Sequence, residues 1–159
     1  VAGRRRRAAA ALLLLGLLAT PGAGAAAVAP AGPFTAGGEL ALGKGVFGVR
    51  CRTHFAGDIG AADDFTVTAV RFEGGPACRR LSARGLPWRG RVANGNELLI
   101  EGLQVDVRSF LAGGSCGPAA VRAVFEADAS AVRIAAAALP PDCRLEGRLL
   151  TTPRLVLEP

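Results

Sequence analysis

Cys51, Cys78, Cys116 and Cys143 constrain this chain more than any other feature. The first two lie 27 positions apart, and so do the last two. Four cysteines allow three pairings. The equal separations favour Cys51 with Cys78 and Cys116 with Cys143, which closes two loops of the same length. On a chain-entropy argument each such bridge stabilises the fold by roughly 3 kcal/mol. A metal site is the competing use of four thiols. Zinc sites place their ligands in close pairs such as C-x2-C. No close pair occurs here, and His54 is the only histidine. The reading is therefore a disulfide framework, with no metal and no cofactor.

Disulfides need an oxidising compartment, and the N-terminal residues supply a route to one. Arg4 to Arg7 form a positive stretch, Ala8 to Ala19 an apolar run, and Thr20-Pro21-Gly22 a break followed by small residues. That is the pattern of a secretory signal peptide. The apolar run is shorter than the roughly 20 residues a spanning helix needs, so no stable membrane span is expected. Ala23-Gly24-Ala25 and Ala25-Ala26-Ala27 both suit cleavage, which assigns residues 1–27 to the signal. The expected location is extracellular or at the cell surface, with the periplasm as the alternative. Setting Arg4 to Arg7 aside leaves 15 basic against 13 acidic residues. The remaining arginines are scattered, so no nucleic-acid partner is expected.

Beyond the leader the dominant signal is period-two alternation, the mark of half-buried strands. From Val46 to Phe55, Phe47, Val49, Cys51, Thr53 and Phe55 fall on one face. Phe65–Glu73 is rich in β-branched residues. Asn94-Gly95 between Val92 and Leu98 predicts a hairpin with a type I′ turn. Val105–Phe110 alternates again. Val121–Ala127 and Val132–Leu139 flank a second hairpin at Asp128–Ser130, and Leu149–Leu157 closes the domain. Ala135–Ala138 favours helix locally, but the run is short and ends at Pro140-Pro141. The expectation is all-β: an antiparallel β-sandwich of about eight strands, disulfide-braced, over residues 39–159, after an extended leader at 28–38. A faint internal echo pairs Thr68–Phe72 before Cys78 with Ala131–Ile134 before Cys143.

No residue set spells a reaction. His54 lacks a partner in the pattern. Ser115 sits in Gly-Gly-Ser-Cys-Gly, but a nucleophile elbow requires a helix after the turn, and none is predicted. Asp58, Asp63 and Asp64 lack the spacing and terminal glutamate of a calcium loop. Glu97 and Glu101 share a strand face, which does not make a catalytic carboxylate pair. Trp88, the only tryptophan, has two readings: a plug for the core, or a surface contact for a ligand or another surface.

A resemblance adds to this. Phe34-Thr35-Ala36, Val49-Arg50-Cys51, Phe55-Ala56-Gly57, Gly85-Leu86-Pro87-Trp88, Cys116-Gly117-Pro118 and Thr152-Pro153 stand in an order that resembles the secreted activators of alkane oxidation, the PraA/PraB-type bacterial proteins. The resemblance implies an exported accessory protein with no catalytic residues. It also implies a tie to growth on hydrocarbons, and partners such as a hydrophobic substrate, a cell surface or a biofilm matrix reached by adhesion. The alternative is a periplasmic module that holds a small apolar ligand between its sheets.

Overall fold

The computed structural model describes residues 26–159, and nearly all of the predicted signal peptide lies outside them. Eleven strands follow in order: β1 (Ala27–Ala29), β2 (Gly32–Lys44), β3 (Phe47–Ile59), β4 (Asp64–Glu73), β5 (Leu81–Arg84), β6 (Trp88–Asn94), β7 (Glu97–Val107), β8 (Gly114–Glu126), β9 (Ala131–Leu139), β10 (Cys143–Thr152) and β11 (Val156–Glu158). The described residues contain no α-helix. The 28–38 stretch is not a leader. It contributes most of β1 and the start of β2, where Val28, Phe34 and Ala36 are buried.

The all-β expectation holds, but the sandwich does not. Each long strand pairs antiparallel with the next in sequence, and β10 returns to pair with β2. One sheet therefore closes into an eight-stranded up-and-down barrel. β5 and β6 act as one broken strand, because both lie against β7: Leu81–Arg84 opposite Val107–Gln104, and Arg89–Asn94 opposite Glu101–Glu97. The inner face of a sandwich and the inside of a barrel demand the same alternation, so the pattern could not separate them. An eight-stranded barrel is just wide enough for its own side chains to fill. Leu40, Phe55, Val67, Leu103, Val105, Val121, Ile134 and Leu149 do so here. The outer face carries exposed Arg50, Arg52, Arg89, Arg122, Arg133 and Glu146, the inverse of the apolar outer band of a membrane-spanning barrel.

Two places in the wall are weakly laddered, and a cystine lies at one end of each. β4 pairs with β6 only over Asp64–Val67, and no ladder joins the rest of β4 to β5. Cys51 on β3 lies one residue beyond the last β3–β4 partners, Arg52 and Glu73, and joins Cys78 in the turn just before β5. β8 pairs with β9 only through Val124–Arg133, Phe125–Val132 and Glu126–Ala131. Cys116 on β8 joins Cys143 at the start of β10 past the end of β9 at Leu139, beside a Gly117 N–H to Pro140 carbonyl bond of 2.7 Å. Counted from β2 and from β7, the two cystines occupy equivalent places in successive sets of four strands. On the outside, the Glu126 carboxylate bridges Arg133 Nε on β9 (3.0 Å) and Arg148 Nε on β10 (2.6 Å). The alanine run at 135–138 stays in strand. It carries a bulge opposite Glu146, with Ala136 at φ 48°.

The connections β2–β3, β4–β5, β7–β8 and β9–β10 lie at one end of this meander, here the cystine end. At the other end β1 and β11 pair as a short lid. Ser130, left-handed at φ 49°, ties the lid down. Its hydroxyl lies 2.6 Å from Thr151 Oγ1 and accepts the Leu155 N–H at 2.7 Å, while its carbonyl accepts the Thr151 N–H. The Asn94 hairpin differs from the expected type I′ turn. Its central pair is Gly95-Asn96, and of the two only Gly95 (φ 54°) is positive.

Two stability effects follow. Replacing Cys116 and Cys143 together by Ala should cost roughly 3 kcal/mol in denaturant unfolding, and so should the Cys51/Cys78 double variant. Ser130→Ala leaves the buried Leu155 N–H without its acceptor and should cost about 1–3 kcal/mol. Wild-type midpoints in these variants would contradict the closure described.

Candidate functional site

The Gly85-Leu86-Pro87-Trp88 stretch breaks the strand and turns its tryptophan inward. Gly85 takes φ 66°, and Pro87 has no N–H to offer a ladder. Trp88 is 1% exposed. Its Nε1–H donates to the Arg84 carbonyl at 2.7 Å, and its ring meets Phe55 edge to face at 5.8 Å. The surface-contact reading of Trp88 is therefore corrected: it is a core residue with its one polar atom satisfied. Next to it, Gly90 leaves room for Phe65, because a Cβ there would lie 2.1 Å from the Phe65 ring.

The polar candidates do not assemble into a catalytic centre. The Ser115 hydroxyl donates to Asp106 Oδ1 at 2.6 Å, and the other Asp106 oxygen accepts from Arg84 Nε at 2.7 Å. β8 continues through Ser115 as strand, so no elbow forms. His54 instead faces Glu73, with Nε2 3.5 Å from the carboxylate. Asp58 and Asp64 belong to β3 and β4, where the Asp64 carbonyl accepts the Gly60 N–H. Glu97 pairs with Arg122 across the β7–β8 ladder. Among the described residues no group of His, Cys, Asp and Glu is arranged to hold a metal.

The apolar space enclosed by the described barrel is small. Phe34, Ile59, Phe65, Leu98, Phe125 and Leu155 surround an apolar space of about 30 Å³ beneath the lid. A dry cavity that takes a benzene-sized molecule is on the order of 150 Å³.

The three most exposed large apolar side chains among the described residues lie at the cystine end, with Leu150 on β10 and Val156 on β11 less exposed. Val46 (88% exposed) tips the β2–β3 turn, and Phe110 (99%) and Leu111 (80%) tip the β7–β8 connection. The sequence pattern had run Phe110 into a strand, but β7 stops at Val107 and the chain turns. That turn is locally fixed. Ser109 Oγ accepts the Leu111 N–H at 3.3 Å, and a Cβ on Gly113 would lie 2.6 Å from the Ser109 carbonyl oxygen. The neighbouring connections touch one another. Lys44 Nζ lies 2.5 Å from Asp142 Oδ1, Lys44 also packs beside Gly114, and the Arg108 N–H donates to the Arg80 carbonyl at 2.8 Å. The signal for this patch was two adjacent large apolar residues, Phe110-Leu111, running into Gly113-Gly114.

The Ser115 hydroxyl and then Arg84 hold the Asp106 carboxyl below its ordinary value of 3.8. Arg148 and then Arg133 hold Glu126 below 4.5. Both groups stay charged in the fold at a pH that protonates them in the unfolded chain. Their contribution is complete above the unfolded values and is lost as pH falls through the lower folded ones. Thermal midpoints should therefore decline on acidification between about pH 5 and pH 3, and Asp106→Asn with Glu126→Gln should flatten that decline. An equally steep decline in the double variant would show that other groups govern it.

Neither the curated proteins nor the solved structures give a match to this chain. A family model does: the one described as alkane oxidation protein activator PraA/PraB-like matches residues 3–159. The chain belongs to the PraA/PraB-like family of alkane oxidation protein activators.

Proposed function

We propose that this protein is a non-catalytic, exported accessory factor that aids hydrocarbon use by contact with an apolar phase, through the cystine end of its barrel. The carrying observation is the exposed trio Val46, Phe110 and Leu111 on a barrel whose interior is already full. Apolar side chains held at turn tips are available to a surface, whereas those inside are not. Support comes also from the family's description as an activator. The two disulfides suggest an oxidising, non-cytoplasmic compartment. No helix among the described residues is long and apolar enough to cross a membrane. The filled core disfavours the alternative of a small apolar ligand held inside. Adhesion to cells or to a biofilm matrix would use the same exposed end.

The test is growth of a deletion strain on hexadecane and on a soluble carbon source, with purified protein added back. A longer lag on hexadecane alone should be restored by the wild-type protein and not by the Phe110→Ser/Leu111→Ser variant. Equal rescue by that variant would remove the assigned contact site, and no lag on hexadecane would remove the accessory role.

A further inference from the structure

The two ends of the barrel differ in charge as well as in polarity. At the cystine end the connections carry Arg79, Arg80 and Arg108 against Asp142, and Asp142 is paired with Lys44. At the lid end the connections and β11 carry Asp63, Asp128 and Glu158 against Arg154. Arg79, Arg80 and Arg108 are exposed and make no salt bridge among the described residues. They flank the apolar tips closely: Arg108 is two residues before Phe110, and its N–H is bonded to the Arg80 carbonyl. Basic side chains around a small protruding apolar tip are what an anionic lipid surface selects. The apolar groups enter the acyl boundary while the guanidinium groups meet phosphate, and the two terms add. Arginine suits this role because its fork matches phosphate in a bidentate way. The acidic lid end is turned away by the same field, so the barrel has one preferred orientation.

We infer that the cystine end docks on an anionic phospholipid bilayer, with Phe110 and Leu111 inserted and Arg79, Arg80 and Arg108 on the head groups. This rests on the apolar-contact reading above and adds the chemistry of the surface. The Ser109 hydroxyl braces the turn through the Leu111 N–H, which lowers the ordering that accompanies insertion.

The experiment uses a chain beginning at Ala26, which holds all the strands of the described residues and both cystines, so that the preceding apolar run contributes no binding. It is floated with phosphatidylcholine vesicles, with and without phosphatidylglycerol, and its adsorption to a hexadecane–water interface is measured in parallel. Binding should require phosphatidylglycerol and weaken as salt rises. The Arg79→Gln/Arg80→Gln/Arg108→Gln variant should bind roughly tenfold or more weakly. Phe110→Ser/Leu111→Ser should also lose binding, with thermal midpoints near wild type in both variants. Equal binding to both vesicle types, or wild-type binding by the arginine variant, overturns the inference. Adsorption to hexadecane without vesicle binding overturns it while leaving the accessory role standing. Adsorption to neither surface overturns both.

Discussion

Closure of the barrel at its two short ladders is the constraint on which the rest depends. A meander of eight strands can close only if its weakest seams hold, and these are β4 with β5–β6 and β8 with β9. Each cystine passes the end of the intervening strand and fastens the chain where the next strand begins. Both lie toward the same end, so the connections there are braced by covalent bonds as well as by Lys44 and Asp142. Apolar residues at the tips of braced connections keep their positions. Exposed Phe110 and Leu111 can therefore face an apolar phase rather than collapse onto the wall.

On the proposed reading, a filled barrel leaves contact to its outside. Inward positions are occupied by aliphatic side chains, Trp88 and Phe55, leaving about 30 Å³ of space beneath the lid. The side wall is charged and laced with cross-strand ion pairs such as Glu126 with Arg133 and Arg148. What remains distinctive is the axis of the molecule: an apolar and basic end, and an acidic lid. On the proposed reading, such an axis orients the protein at a boundary and gives an accessory factor a physical way to act.

Much of the wall was legible in the sequence because alternation reports burial directly. Phe47, Cys51, Thr53 and Phe55 face inward as their spacing implied. The equal cysteine separations match the two bridges because the barrel places both in equivalent positions. Closure itself was not legible, since a sandwich and a barrel share one alternation and differ only in which strands meet. Residues 28–38 read as a leader because Pro and Gly mask a strand whose inward residues, Phe34 and Ala36, are few. The proposed contact site was hidden for a related reason. Val105, Val107 and Ser109 continue a period-two rhythm past the end of β7, so Phe110 looked like one more strand residue when it is the tip of a turn. Trp88 failed as a site for the opposite reason, because a proline break delivers it into the core.

The most direct measurement is hydrogen exchange, read by mass spectrometry, of the protein in buffer and on a hexadecane emulsion. The account predicts slower exchange confined to residues 45–46 and 108–113, with residues 127–130 at the lid end unchanged. Protection centred on the lid end, or spread evenly around the wall, would contradict a barrel that meets its surface by the cystine end.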